Sequence, residues 1–172
     1  GGPVNFGQCD VPAPNSGFIA LGGGGVHTVG LKSDGSVVSW GDITFGQGNG
    51  PVPNAGFIGV ARGERQTLGL KGDGSIKAWG CGPFGDEGQC DVPEPNSEFI
   101  EVAAGRIHSV GLKGDGSIAA WGCQDFIFDF GQCEVPAPNS GFIGIAAGEY
   151  HSLGLKDDGS IVAWGCQSLY CN

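Results

Sequence analysis

The stretch that decides the fold is HSLGLKDDGSIVAWGC, residues 151–166. Close copies occur three more times: HTVGLKSDGSVVSWGD from His27, QTLGLKGDGSIKAWGC from Gln66 and HSVGLKGDGSIAAWGC from His108. Each copy has two short apolar runs on either side of an Asp-Gly pair. Asp-Gly between such runs predicts a β-hairpin, because its tight turn needs positive φ angles. The sequence therefore predicts four hairpins.

The four copies recur with a nearly constant period. One tryptophan marks each copy, and successive tryptophans are 39, 42 and 43 residues apart. A period of this length is typical of solenoids and β-propellers. The markers are Trp40, Trp79, Trp121 and Trp164.

Each period also holds a further strand and a proline-rich segment. The runs GFIALG, GFIGVA, EFIEVA and GFIGIA precede the hairpins and predict a first short strand. A variant of FGQCDVPAPNSGF leads into each of these first strands. Because its prolines lack an N–H, this segment is expected at a sheet edge or in an extended loop. One repeat is then one β-propeller blade, and we predict a single all-β domain over residues 1–172. The predicted repeats cover approximately residues 6–44, 45–83, 84–129 and 130–172.

Composition narrows the classes of function. The chain has 36 glycines and 10 prolines among 172 residues, yet 40% of its residues are hydrophobic. The formal charge of −10 disfavours nucleic acid and anionic membrane surfaces as partners. No apolar run reaches the length of a membrane-spanning helix. The absence of methionine indicates a processed chain or a fragment, with any targeting signal removed or lying elsewhere.

The repeated words GxxHSxGLKxDGSIxAWG and FGQCxVPxPNSGF resemble the repeats of the regulator of chromosome condensation family, in a form found in many bacterial secreted proteins. The resemblance covers roughly residues 6–166. It implies β-propeller blades around a central axis, in rings of more blades than four repeats supply. The chain is then expected to be a small ring, a piece of a larger array, or a subunit that finds further blades in other copies.

Cysteines occupy two repeated positions, one after the Trp-Gly pair and one at the end of the word GQC. Between the first two repeats both positions are lost together, to Asp42 and Gly48. Their joint loss predicts that the two positions bond to each other, giving Cys81–Cys90 and Cys123–Cys133. Structural disulfides are typical of an oxidising, extracellular compartment. The spacing lacks the tight cysteine pairs that zinc prefers.

Cys9, Cys166 and Cys171 are left over by this pairing. In the pairs above, the cysteine after a Trp-Gly pair bonds to the cysteine of the next GQC. Cys166 and Cys9 would form the same kind of pair if the end of a fourth repeat lies next to the start of a first one. Within one chain that contact closes a ring, and between chains it gives a larger ring or a filament. A rival pairing is Cys166–Cys171, with Cys9 bonded to another chain. Because seven cysteines are an odd number, at least one is a free thiol or bonds another chain.

No group of residues indicates catalysis, a cofactor or a metal site. His27, His108 and His151 share one repeat position, and Gln66 takes that position in the remaining copy. Glutamine can replace histidine in a hydrogen bond but is a poor metal ligand. We therefore predict that this position binds the backbone of the neighbouring blade, in a protein that is not an enzyme.

The linkers after each Trp-Gly pair differ most among the copies. The third contains Phe126, Ile127 and Phe128, which predict either a cover over a blade junction or an interaction surface. Leu169 and Tyr170 leave the same two interpretations open.

These features lead to two hypotheses. The first is a secreted or cell-surface, non-catalytic β-propeller repeat protein whose copies associate head to tail through their terminal blades. The rival is a monomeric module that binds an extracellular protein or glycan through its rim loops. The expected partners are other copies of the chain, or an extracellular protein or glycan. Nucleic acid and a membrane span are not expected.

Overall fold

The computed structural model describes residues 5–23, 26–82, 86–124 and 129–165. Within these ranges the chain forms four three-stranded antiparallel sheets, which confirms the predicted all-β class and its blades. No helix in this part of the chain could cross a membrane. Blade 1 contains β1 (Phe18–Gly23), β2 (His27–Lys32) and β3 (Val37–Gly41); blade 2 contains β4 (Phe57–Arg62), β5 (Thr67–Lys71) and β6 (Ile76–Trp79); blade 3 contains β7 (Phe99–Ala104), β8 (Ser109–Lys113) and β9 (Ile118–Trp121); blade 4 contains β10 (Phe142–Ala147), β11 (His151–Lys156) and β12 (Ile161–Gly165).

The Asp-Gly pairs form the predicted turns between the second and third strands of each blade. Their glycines have φ angles between 78° and 84°, a region that other residues adopt with strain. In all four turns the aspartate accepts a hydrogen bond of 2.9 Å from the backbone N–H of the serine two residues on. The hairpins are therefore fixed by their own local sequence.

The first strand of each blade contains a β-bulge. In blade 1, Phe18 pairs with Lys32 and Ala20 pairs with Leu31, so Ile19 is an extra residue. The same shift occurs in the other three blades. The bulge turns the isoleucine outward, and Ile19 is 64% exposed.

The hydrophobic core lies between neighbouring blades. Each core cluster combines aliphatic side chains of one blade with a phenylalanine and a tryptophan of the next. Between blades 2 and 3, for example, Leu68, Leu70 and Ile76 pack with Phe99 and Trp121. Burial stabilises each such side chain by about 1.5–3 kcal/mol, so the stacking of blades is what stabilises the fold.

The tryptophans anchor each blade to the segment before it. Nε1 of Trp79 donates to the backbone oxygen of Gln47 at 2.9 Å, and the buried Gln47 side chain accepts a hydrogen bond from the N–H of Phe45. The other tryptophans bind the equivalent glutamines in the same way: Trp40 to Gln8, Trp121 to Gln89 and Trp164 to Gln132.

The proline-rich segments are extended loops that cross the blade junctions, as the prolines predict. Oδ1 of Asn54 accepts a hydrogen bond of 2.9 Å from the N–H of Val37, and its Nδ2 donates to the carbonyl of Val37 at 2.8 Å. We call this pair of bonds the asparagine clamp. The later clamps join Asn96 to Ile76 and Asn139 to Ile118. Each clamp satisfies the backbone at the start of the third strand of the preceding blade.

Candidate functional site

One face of blade 4 is exposed, although the same face of every other blade is buried. Ile161 is 68% exposed, while the residues at its position in blades 1 to 3 are 1–7% exposed. Leu155 is 39% exposed, against 0–3% at its position in the other blades. We call the surface formed by Leu153, Leu155 and Ile161 the tail face. It is the aliphatic half of a junction without an aromatic half.

The opposite face of blade 1 is uncovered as well. Leu21 is 68% exposed, whereas the residues at its position in the other blades pack against the core clusters. Phe18 and Trp40 are partly exposed, but their equivalents are only 2–9% exposed. We call the surface formed by Phe18, Leu21 and Trp40 the head face. It is the aromatic half of a junction.

The internal junctions show how two such halves fit together. Between blades 3 and 4, Cδ1 of Ile118 lies 3.2 Å from the place that a Cβ on Gly154 would occupy, and the ring of Phe142 lies against the same glycine. Between blades 2 and 3, Ile76 approaches Gly111 in the same way, at 3.4 Å. An isoleucine of one blade thus fits against the glycine and aromatic rings of the next.

The head face offers the same receiving surface. The rings of both Phe18 and Trp40 lie against Gly30, with Cζ3 of Trp40 3.3 Å from the place of a Cβ. The two rings are tilted by 59° with centroids 6.0 Å apart, close to the 52–55° tilts in the other blades. The head face is therefore already arranged to receive an isoleucine.

Polar groups at the two faces are also unmatched. Asn15 stands at the clamp position, is exposed, and has no hydrogen-bond partner among the described residues. At the other end, no asparagine of the described ranges clamps the backbone of Ile161. The head face therefore has an asparagine without a backbone partner, and the tail face has a backbone segment without an asparagine.

A backbone hydrogen bond completes each internal junction. The N–H of Phe57 donates at 3.0 Å to the carbonyl of Gly35 in the preceding hairpin turn, and Phe99 and Phe142 do the same at later junctions. The carbonyl of Gly159 receives no such bond from the part of the chain described here. Phe18 carries the equivalent N–H on the head face.

The tail face contains a pocket of about 260 Å³. Its lining is aliphatic except for Glu101, which reaches it from the preceding blade. Burial raises the pKa of the Glu101 carboxyl, and the hydrogen bond of 3.2 Å that it accepts from the N–H of Ile145 acts in the opposite direction. An apolar side chain from another protein chain would fit such a pocket.

Both predicted disulfides are present. Cys81 bonds to Cys90, and Cys123 bonds to Cys133, each pair with Cα atoms 6.1 Å apart. Cys9, which has the sequence position of Cys90 and Cys133, is an exposed free thiol.

Several of the predicted interface and junction residues lie outside the described ranges. They are Phe126, Ile127, Phe128, Cys166, Leu169, Tyr170 and Cys171. Sequence reasoning missed the exposed Leu21, Leu155 and Ile161 and the unpartnered Asn15. Their place in the first and last copies of the repeat was the one signal that could have identified them.

The shared histidine position joins neighbouring blades. The side-chain amide of Gln66 donates to the carbonyl oxygens of His108, at 3.0 Å, and of Gly105, at 3.3 Å, in the next blade. This confirms the predicted backbone contact for Gln66. At His108, Nε2 lies 3.0 Å from the hydroxyl of Ser152 in blade 4. Neither ring nitrogen of the buried His27 has a hydrogen-bond partner among the described residues, so the predicted backbone contact is wrong at His27. Gln66 and His108 are fully buried.

Comparisons with known proteins agree with this geometry. Residues 142–171 match the family model of the regulator of chromosome condensation (RCC1) repeat. No curated protein sequence matches the chain significantly. A similar solved structure is the CRINKLY WD40 ectodomain of the Arabidopsis thaliana receptor kinase ACR4, with a TM-score of 0.65 and 27% identity over 89% of this chain and 51% of that chain. The ectodomain of the Physcomitrella patens receptor kinase CR4 has a TM-score of 0.69 and 24% identity, covering 92% and 44%.

Yeast RCC1 (Prp20), in a structure with Kap60 bound, has a TM-score of 0.68 and 22% identity over 86% of this chain and 43% of that chain. The chain therefore spans about half the length of these structures. The shared fold defines the class, a protein of β-propeller blades. The matched residues contain the fourth copy of a sequence that occurs four times in the chain, so the fourth repeat is similar to a repeat of the RCC1 type.

Proposed function

We propose that the protein is a non-catalytic structural subunit whose copies associate head to tail, with the head face of one copy covering the tail face of the next. The observation that carries the proposal is the complementarity of the two uncovered faces. The tail face supplies Leu155 and Ile161, and the head face supplies the ring surface of Phe18 and Trp40. Every blade junction, within a chain or between chains, would then have the same contacts.

The packing favours a second copy over closure within one chain. The described core clusters join blade 1 to blade 2, blade 2 to blade 3 and blade 3 to blade 4. None of these clusters combines residues of blades 4 and 1. A contact between two chains supplies the missing cluster without a change in the curvature of the blades.

The proposed location is extracellular. Two disulfides in a chain of 172 residues support an oxidising compartment. Two of the similar structures are receptor ectodomains. Comparing free thiols in the secreted and the intracellular protein tests this location, since a reduced Cys81 in the functional protein would contradict it.

Two single substitutions test the assembly. Leu21→Asp places a charge on the head face alone, and Ile161→Asp places one on the tail face alone. Both side chains are 68% exposed in a single chain, so each variant should fold. We expect each variant alone to sediment as a monomer at concentrations where the unaltered chain assembles. Mixed, they should form a dimer of one copy each, because one intact head face meets one intact tail face.

The matched control is Ile143→Asp. Ile143 lies in the same blade as Ile161 and is 57% exposed, but its position is exposed in every blade and lies in no junction. This variant should assemble like the unaltered chain. Sedimentation of the unaltered chain as a monomer at all concentrations would contradict the proposal, as would the failure of the mixed variants to pair.

The cysteines provide a covalent readout of the same contact. Cys9 belongs to the first repeat and Cys166 to the fourth, at the two positions that pair across the disulfide-bonded junctions. We expect non-reducing peptide mapping to find Cys9 bonded to Cys166 of another copy. A bond between these cysteines within one chain would show ring closure by a single copy instead.

A further inference from the structure

A cavity of about 700 Å³ lies where the turns after the first strands of the four blades come together. Gly63, Gly105 and Gly148 share one repeat position in its wall. A Cβ on Gly105 would lie 2.5 Å from the carbonyl oxygen of Gly148, so this position excludes side chains. The charged residues that follow these glycines differ among the copies, and the blade contacts described above do not use them.

All three arginines of the chain, Arg62, Arg65 and Arg106, line this cavity, although the net charge is −10. Arg106 is held between two carboxylates, with Nε 2.6 Å from Oε2 of Glu64 and Nη1 3.2 Å from Oε1 of Glu149. Backbone hydrogen bonds of 3.3 and 3.2 Å join the same three turns. This side of the cavity is therefore rigid and its charges are paired.

Arg62 is in a different situation. It has no ion pair within the described ranges, and its Nε is buried without a hydrogen-bond acceptor there. Burial lowers the pKa of its guanidinium, while the charge of Glu64 acts in the opposite direction. Because arginine keeps its charge at neutral pH, Arg62 is a half-buried cation that lacks an anionic oxygen.

The rest of the lining limits the anion that fits. Val26 and Phe45 supply apolar surface in the same cavity. Asp42, Glu64 and Glu149 also line it and would repel an anion that carries several charges. A planar carboxylate matches the guanidinium fork, and one negative charge on an apolar body matches the rest of the lining.

We infer that this cavity binds an apolar monocarboxylate, with Arg62 as the group that binds its carboxylate. A free organic acid and the C-terminal residue of a protein chain both carry this chemistry. Benzoate represents the first source and N-acetylphenylalanine the second. N-acetylphenylalanine amide, which lacks the carboxylate, is the control ligand.

The test follows the arginine Nε–Hε resonances of the full chain by NMR during titration with each probe. The Arg62 signal should shift and saturate at millimolar concentrations or below with at least one carboxylate probe, and should not shift with the amide. Arg62→Gln should weaken binding about tenfold or more. Lys77→Gln, which removes an exposed positive charge from β6, should leave binding unchanged.

The probe that binds more tightly identifies the source of the carboxylate. The inference is overturned if neither carboxylate gives a saturable shift. Equal weakening by Arg62→Gln and Lys77→Gln would overturn it too, because it would mean attraction by overall charge. Binding is measured on Leu21→Asp, so its failure does not depend on assembly and the two proposals can fail separately.

Discussion

At the scale of single residues, buried histidines make the fold sensitive to pH. Burial lowers the pKa of His27 and of His108 from 6.5 to about 4. The charge of Arg62 adds to the effect at His27, and that of His151 adds to it at His108. Between pH 6.5 and about 4 the unfolded chain therefore binds more protons than the folded chain, and the free energy of unfolding falls as the pH drops through this window.

His108→Gln tests this pH dependence. Gln66 fills the same position in blade 2, so the fold accommodates glutamine there. We expect urea unfolding of the variant to depend less steeply on pH between 6.5 and 4 than that of the unaltered chain. Equal slopes would show that His108 does not carry the effect.

The hairpin aspartates provide an internal control for the histidines. The hydroxyl and N–H of the serine two residues on lower the pKa of Asp34, Asp73, Asp115 and Asp158 below the usual 3.8. Their folded-state pKa values are depressed, so their contribution is lost only at pH values below that of the histidine window. The two groups can thus be separated by pH.

At the scale of elements, most of each blade could be predicted from the sequence. Asp-Gly turns and alternating strands are local signals, so the hairpin around Asp73 is determined by its own residues. The β-bulge at Ile19 was not predicted, because the register of β1 depends on how it packs against β2 and the next blade. Local patterns determine which element forms, but its packing determines where each side chain points.

The asparagine clamp is the element whose strength is most directly testable. Asn96 makes two hydrogen bonds to Ile76, at 2.7 and 2.9 Å, so Asn96→Ala leaves two backbone groups unsatisfied at a buried junction. We expect it to lower the free energy of unfolding by about 1–3 kcal/mol, measured by chemical denaturation.

Asn15→Ala is the matched comparison. Asn15 has no partner among the described residues, so its loss should leave the stability of the dilute monomer unchanged. It should weaken assembly in sedimentation experiments, because Asn15 would clamp Ile161 of another copy. Equal destabilisation of the monomer by both variants would mean that Asn15 is already clamped within its own chain.

At the scale of the whole molecule, the sequence predicted that the terminal blades make contacts, but it did not predict which residues make them. The four copies have nearly the same sequence, so the sequence alone does not distinguish an exposed Ile161 from a buried Ile118. The absence of a neighbouring blade creates the difference, and it becomes visible only when the blades are stacked. The cavity at Arg62 was missed for a related reason, since its lining comes from turns that are distant in the sequence.

The assembly should respond to salt in a characteristic direction. Apart from Glu101 in the tail-face pocket, the residues that define the two faces are apolar or neutral amides, while each copy carries a net charge of −10. Salt screens the repulsion between copies but does not weaken apolar packing. We therefore expect the assembled fraction in sedimentation to rise with sodium chloride. Dissociation at high salt would indicate that ion pairs hold the copies together.

The asparagine clamp is present at every internal junction, and this has an evolutionary consequence. If junctions between chains use the same contacts, a gene that duplicates or deletes one repeat still encodes a chain with matching ends. The number of blades per chain could then change without the redesign of any interface. Natural selection could act on the size of the assembly while each single blade keeps its sequence.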